Sequence, residues 1–203
     1  MPARDSDEPK RPYELGKRLE QMDHSRAAIL RAARTQLEAN GYPQFTMGSL
    51  AAESGVTRQT IHNLFGTKAA VLEALFDVIA LDGGMQNMRD VMTQTAGETM
   101  LQRFVEVFCH FWATNRLLIR RIHGIAAIDP EFENVIESRN RRRFEASIRI
   151  VSRFGIRNAV NERAATLAAL TSFEFFDNLA NSIDENQAAA TILDLARKVL
   201  ATA

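Results

Sequence analysis

Cysteine is nearly missing from this chain, and so is any net charge. Cys109 is the single cysteine among 203 residues, so no internal disulfide can staple the fold, and a reducing compartment such as the cytoplasm suits it. Lys and Arg number 25 and so do Asp and Glu; a polyanion-binding surface therefore has to come from charges sorted in space. No apolar run approaches the roughly 20 residues of a membrane-spanning helix, so no membrane partner is expected. The polar start MPARDSDEPKRPYELGKR lacks the apolar centre of a secretory signal. The signatures of common catalysts are also missing: no Gly-rich phosphate loop after a strand, no HExxH, no paired ExxH, no spaced Cys/His set. Cys109 falls on an apolar helix face, where a thiol is ordinarily inert. Glu106 and His110 share a face at i, i+4, and two groups alone do not make a metal site. The expectation is a chain that is not an enzyme and uses neither metal nor cofactor.

What is present is ordinary globular composition, 46% hydrophobic and 25% charged, on a length that allows one large core or two small ones. The fold class expected is all-α. Residues 1–23 are rich in Pro and charge and read as a flexible arm in which Lys10, Arg11, Lys17 and Arg18 offer positive charge. A first helix spans about His24 to Asn40, with Ile29, Ala33 and Leu37 recurring every four residues on an inward face, and Gly41 stops it. A longer helix runs from Lys68 to about Leu81, and Gly83-Gly84 marks the expected border between a domain at 24–82 and another at 85–203.

Between these helices lies TMGSLAAESGVTRQTIHNLFGTK, Thr46 to Lys68. Thr46 is an N-cap candidate, its hydroxyl able to accept from an orphan amide of the first turn. Leu50 and Ala51 face inward. Gly55 suits the left-handed conformation that ends a helix and turns the chain. Val56 can plug the corner and Thr57 caps the next helix. Ile61, Leu64 and Phe65 fall at i, i+3 and i+4 on one buried stripe. Arg58, Gln59, His62 and Asn63 fall on the opposite side, and all four types can bond to bases or phosphates. Gly66 ends this helix and Thr67 caps its successor. Lys68 then puts a cation in a first turn, where the helix dipole gains nothing from it, which suits contact with a phosphate. This is the layout of a helix-turn-helix, in which the core holds one helix so that the next can enter the DNA major groove. From Lys10 to Lys68 there are nine Lys/Arg against five Asp/Glu, a modest excess that implies salt-sensitive affinity built from few phosphate contacts.

Arg26 to about Asp82 resembles the N-terminal domain of TetR-type (TetR/AcrR) transcriptional repressors. RAAILRAARTQLEANGY matches the family's first helix, and FTMGSLAAESGVTRQTIHNLFGTKAAVLEAL matches its helix-turn-helix and the helix that follows. Thr46, Leu50, Ala51, Gly55, Val56, Thr57, Thr60, Ile61, Phe65, Lys68 and Leu72 fit the pattern. Two departures from it stand out: His62 stands where a phosphate-contacting Tyr is usual, and Arg58-Gln59 replaces a Gly or Lys-Gly, so that Gln59 becomes a candidate base reader. The DNA-binding set expected is Thr46, Thr57, Arg58, Gln59, Thr60, His62, Asn63 and Lys68.

From Met85 onward the chain reads as helices: about Glu98–Asn115, Arg116–Ile128, Pro130–Phe154, Glu162–Ser182 and Asn186–Ala201. The resemblance implies a C-terminal ligand-binding and dimerisation domain with a small-molecule effector chamber. Candidates to line it are Met92, Met100, Phe104, Phe108, Phe111, Trp112, Ile122 and His123. The last two helices carry more apolar residues than one bundle edge requires. Leu167, Leu170, Phe173, Phe176, Leu179, Ile192, Leu195 and Val199 are therefore expected at a homodimer interface, where two helices from each chain pack as four. The alternative is that they close the chain's own core. The run Arg139 to Arg143, broken by Asn140, reads as solvated surface, with contact to an acidic ligand or DNA as the other reading. The function expected is a homodimeric repressor released from a double-stranded, palindromic operator by an apolar or amphipathic molecule. A helical protein-interaction adaptor, or a co-repressed or activating regulator, remains the alternative.

Overall fold

The computed structural model of the protein describes residues 11–40 and 44–201. Every regular element among them is helical, and the chain divides into two compact units, one ending at Val71 and the other beginning at Leu72.

The first unit holds α1 (Arg11–Asn40), α2 (Met47–Ser54), α3 (Arg58–Phe65) and the opening turn of α4 (Lys68–Asp82). Helix α1 starts at Arg11, so residues 11–23, expected as a flexible arm, belong to it. Pro12 sits in the first turn, where its missing amide costs nothing, and Glu, Leu, Lys and Arg carry the helix on from there. The rest of that arm, with Lys10, lies outside the described residues. Ile29, Ala33 and Leu37 are fully buried, as their spacing predicts, and join Phe45, Leu50, Ile61 and Val71 in the core of this unit.

The second unit contains the rest of α4, a single 3-10 turn at Met85–Asn87, and α5 (Met88–Met92), α6 (Gly97–Thr114), α7 (Arg116–Ala126), α8 (Pro130–Arg153), α9 (Val160–Leu170), α10 (Phe173–Leu179) and α11 (Glu185–Ala201). The division falls inside α4, whereas the sequence pattern placed a border at Gly83-Gly84. The second half of α4 is bound to α6: Phe76 meets Phe111 at 5.9 Å between ring centroids, and Asn115 Nδ2 donates to the Ile79 carbonyl at 3.4 Å. Gly83 permits this approach, since a Cβ there would come within 2.5 Å of Phe111 Cδ2.

Asp129 caps α8 by accepting from the Glu131 amide at 3.2 Å, with Pro130 in the first turn. The stretch expected as one helix, Glu162–Ser182, is two. Ser172 breaks it by accepting from the Phe175 amide at 3.2 Å and starting α10. Two carbonyls in the last turn of α9 are satisfied by side chains from elsewhere. Trp112 Nε1 donates to Thr171 O at 3.1 Å, and Arg143 Nε to Ala168 O at 3.1 Å. A guanidinium at a helix C-terminus also complements its dipole.

The packing corrects the expected dimer set. Leu167, Leu170, Phe173, Phe176 and Ile192 are buried within the single chain, because α9 packs on α8 and α11, and α10 and α11 pack on α6. These five side chains close the chain's own core. Leu179, Leu195 and Val199 are half-buried.

Candidate functional site

Two places carry chemistry, one in each unit. In the first, α2 and α3 are set by caps legible in the sequence. Thr46 and Ser49 form a reciprocal capping box: Thr46 Oγ1 accepts from the Ser49 amide and Ser49 Oγ from the Thr46 amide, both at 3.0 Å. Ser49 also donates to the buried Gln36 Oε1 at 3.0 Å, which ties the start of α2 to α1. Gly55 ends α2 with φ 71°, a value that costs a side chain but not glycine. Thr57 Oγ1 accepts from the Thr60 amide at 3.1 Å and starts α3. Each such cap contributes about 1 kcal/mol.

Helix α3 is thereby pinned through Ile61, which is fully buried. Leu64 and Phe65, expected on the same buried stripe, are half-buried, and the Arg26 guanidinium lies over the Phe65 ring at 4.6 Å. Arg58, Gln59, His62 and Asn63 are all exposed on the opposite face. Gln59 Nε2 donates to Asn63 Oδ1 at 2.9 Å, so two amides that can each recognise adenine stand preorganised side by side. The Arg58 guanidinium lies against Gly48, where a Cβ would come within 2.5 Å of Nη2. Thr46 and Thr57 are exposed caps, Thr60 is half-buried with its hydroxyl 2.9 Å from that of Thr57, and Lys68 is half-buried and already engaged within the protein.

In the second unit a cavity of about 530 Å³ lies between the second half of α4, the 3-10 turn, α6, α7 and α8. This falls in the range of small-molecule sites. Of the eight expected lining residues, Phe104, Phe108, Phe111, Trp112 and His123 are in its wall. Ile122 is not; it is fully buried core. Met92 and Met100 are not either; they border a separate depression with Ile148 and Arg149. The rings pack edge to face and stacked, Phe104 to Phe108 at 5.0 Å and Phe108 to Trp112 at 5.8 Å, and so form a continuous apolar wall.

The residues that sequence reasoning placed elsewhere are the arginines. Arg139, Arg142 and Arg143 all line the cavity, and the solvated-surface reading fails for two of them. Arg143 is 9% exposed and Arg139 half-buried. Burial pushes the Arg143 pKa down. The signal was a spacing: Ile136, Arg139, Arg143 and Ser147 recur at three and four residues, so they share one face of α8 with the buried Ile150. Nearby, His123 Nδ1 lies 2.6 Å from Glu174 Oε1, and this bond holds the Glu174 carboxyl down at about 2. Cys109 is buried beside these rings on α6, and burial pushes its thiol up to about 12.

Comparison with known proteins agrees with this geometry. A sequence model of bacterial regulatory proteins of the tetR family matches residues 29–75, from the core of α1 into α4. The HTH-type transcriptional regulator EthR of Mycolicibacterium smegmatis is 24% identical over 157 residues, which span 76% of this chain and 72% of that protein. Among solved structures, a TetR-family transcriptional regulator from Syntrophomonas wolfei superposes with a TM-score of 0.71 at 16% identity, covering 89% of this chain and 96% of its own. A TetR transcription regulator from Haloarcula marismortui does so with a TM-score of 0.68 at 16% identity, covering 88% and 97%. A helix-turn-helix with an exposed polar reading face, matched over residues 29–75 by the tetR family model, and a helical C-terminal unit lead to one conclusion: this chain is similar to the TetR-family transcriptional regulators.

Proposed function

We propose that the protein is a homodimeric, cytoplasmic repressor that leaves a palindromic operator when a small amphipathic molecule fills the cavity of its second unit. The observation that carries this reading is that cavity, whose walls are largely aromatic and whose arginines all come from α8. Residues Phe76, Asp77, Ala80 and Leu81 of the wall belong to α4, the helix that begins directly after the DNA-reading helix. A ligand that fits one setting of α4 better than another shifts the population between them. Two recognition helices have to lie about 34–36 Å apart to meet successive major grooves, so a small change misaligns both half-sites. A coupling of about 1–3 kcal/mol between the sites suffices for a useful switch.

The test begins with DNA. Selection from random duplexes at moderate salt is expected to enrich one palindrome, and the Gln59→Ala/Asn63→Ala double variant is expected to lose it while keeping its oligomeric state. An enriched sequence without two-fold symmetry removes the dimeric reader. No enrichment, with the protein folded, favours a helical adaptor. An effector that tightens operator binding makes the protein co-repressed.

A further inference from the structure

We infer that the effector cavity takes a carboxylate on an apolar body, its head group held by the α8 arginines and competing there with Asp77. This rests on reading the cavity as a binding site, and it adds the chemistry of what binds.

The positive charge of the α8 arginines is only partly matched by the chain itself. Arg143 is about nine-tenths buried, yet the only hydrogen bond its guanidinium makes among the described residues runs from Nε to a neutral carbonyl, Ala168 O. Its guanidinium lies 5.8 Å from the centre of the Phe108 ring. An aromatic face steadies a cation without neutralising it. Glu174 is close enough to act on Arg143 through space, but its carboxylate is committed to His123 at 2.6 Å. One turn earlier on the same face, Arg139 lies over Phe76 at 4.1 Å, and its buried Nε has no partner. Arg139 Nη2 is held by Asp77 Oδ1 at 2.7 Å, and that carboxylate is 63% exposed. Arg142 adds a third guanidinium to the wall, and Asp77 is the lone carboxylate among the described residues that line it.

A buried cation without a carboxylate is costly, and an orphaned buried N–H adds to the cost. An anion entering the cavity relieves both. Guanidinium forks match a carboxylate in shape as well as in charge. The rest of the wall, with Phe104, Phe111, Trp112, Met85 and Met88, offers apolar surface, which fixes the other end of the ligand. An incoming carboxylate that takes Arg139 replaces Asp77 as its partner and so loosens the hold of α8 on α4, which gives the head group a direct handle on the helix that has to move.

The experiment uses the purified full-length protein and the fluorescence of Trp112, the single tryptophan and a wall residue. Straight-chain carboxylates of about six to sixteen carbons and 2-naphthoate are titrated beside the matching alcohols and amines. At least one carboxylate is expected to give a saturable change, with its alcohol about tenfold weaker and its amine weaker still. Arg139→Gln is expected to weaken the carboxylate about tenfold and leave the alcohol unchanged. Asp77→Asn, which frees Arg139 from its internal anion, is expected to tighten the carboxylate. Equal affinity for carboxylate and alcohol, preference for the amine, an Arg139→Gln variant that is folded by circular dichroism and binds as before, or no binding by any of the carboxylates overturns the inference. Carboxylate binding that does not release operator DNA leaves the inference standing and removes the effector role instead.

Discussion

Single side chains here act through what covers them. Glu174 illustrates the point on α10, where the His123 hydrogen bond holds its carboxyl at about 2 against an ordinary 4.5. A depressed carboxylate contributes stability above its unfolded value and loses it as pH falls through the folded one. Acid should therefore weaken the fold between pH 4.5 and about 2, in part through this group. Glu174 is mostly exposed, with a side-chain accessibility of 61%, so solvent screening keeps its share below about 1 kcal/mol. Urea denaturation at several pH values is expected to show a shallower acid slope for Glu174→Gln than for the parent. An identical slope means the bond to His123 contributes nothing. The bond also sets the imidazole's orientation, since Nδ1 faces the carboxylate and the ring packs at 5.0 Å against Phe173.

At the scale of elements, junctions decide more than helix interiors. Gly83 follows α4, and its φ is not in the left-handed region, so its backbone conformation does not call for glycine. Here the added Cβ would meet Phe111 Cδ2 at 2.5 Å and the Ile79 carbonyl at 3.1 Å. Overpacking of this kind costs about 1–3 kcal/mol. Gly83→Ala is expected to lower the thermal midpoint, and Phe111→Leu in the same chain to recover part of the loss, giving a measurable coupling in a double-mutant cycle. Independent, additive effects would show that the loop relaxes without touching α6. The α9–α10 break works by the same logic, with Ser172 capping one helix while Trp112 and Arg143 satisfy carbonyls at the end of the other. Arg143 is in this way both a clasp for α9 and a wall of the cavity.

At the scale of the whole molecule, the proposed dimer has to be built from what one chain leaves uncovered. Phe176 and Ile192 are fully buried in the single chain, while Leu195 and Val199 on α11 are half-buried. Phe176→Ala is therefore expected to cost the chain about 3–5 kcal/mol as a core truncation. Leu195→Glu with Val199→Glu is expected to weaken association with little loss of helical content. Sedimentation over a range of concentrations separates the two, since only a loss of association shifts with protein concentration. A parent protein that stays monomeric at every concentration removes the dimer, and a surface variant that stays fully dimeric moves the interface to another face.

What the sequence determined by itself is local. The caps at Thr46 and Thr57, the turn at Gly55 and the exposed set Arg58, Gln59, His62 and Asn63 depend on residues close together in the chain, and a chain read in order displays such relations directly. Helix type followed from the same periodicity, and so did the helix boundaries apart from the early start of α1, the short α5 at Met88–Met92 and the break at Ser172. The tertiary structure alone decided which apolar or charged face met which neighbour. Phe108 and Ile122 look alike in sequence, yet one lines a cavity and the other is solid core. Leu167 and Phe176 looked like interface and proved to be interior. Arg139 and Arg143 looked like solvated surface until α8 packed with that face inward, on a run of residues whose own composition marks no inside. Burial is a property of pairs of elements distant in the chain, so spacing within one helix fixes which residues share a face but not what that face will touch.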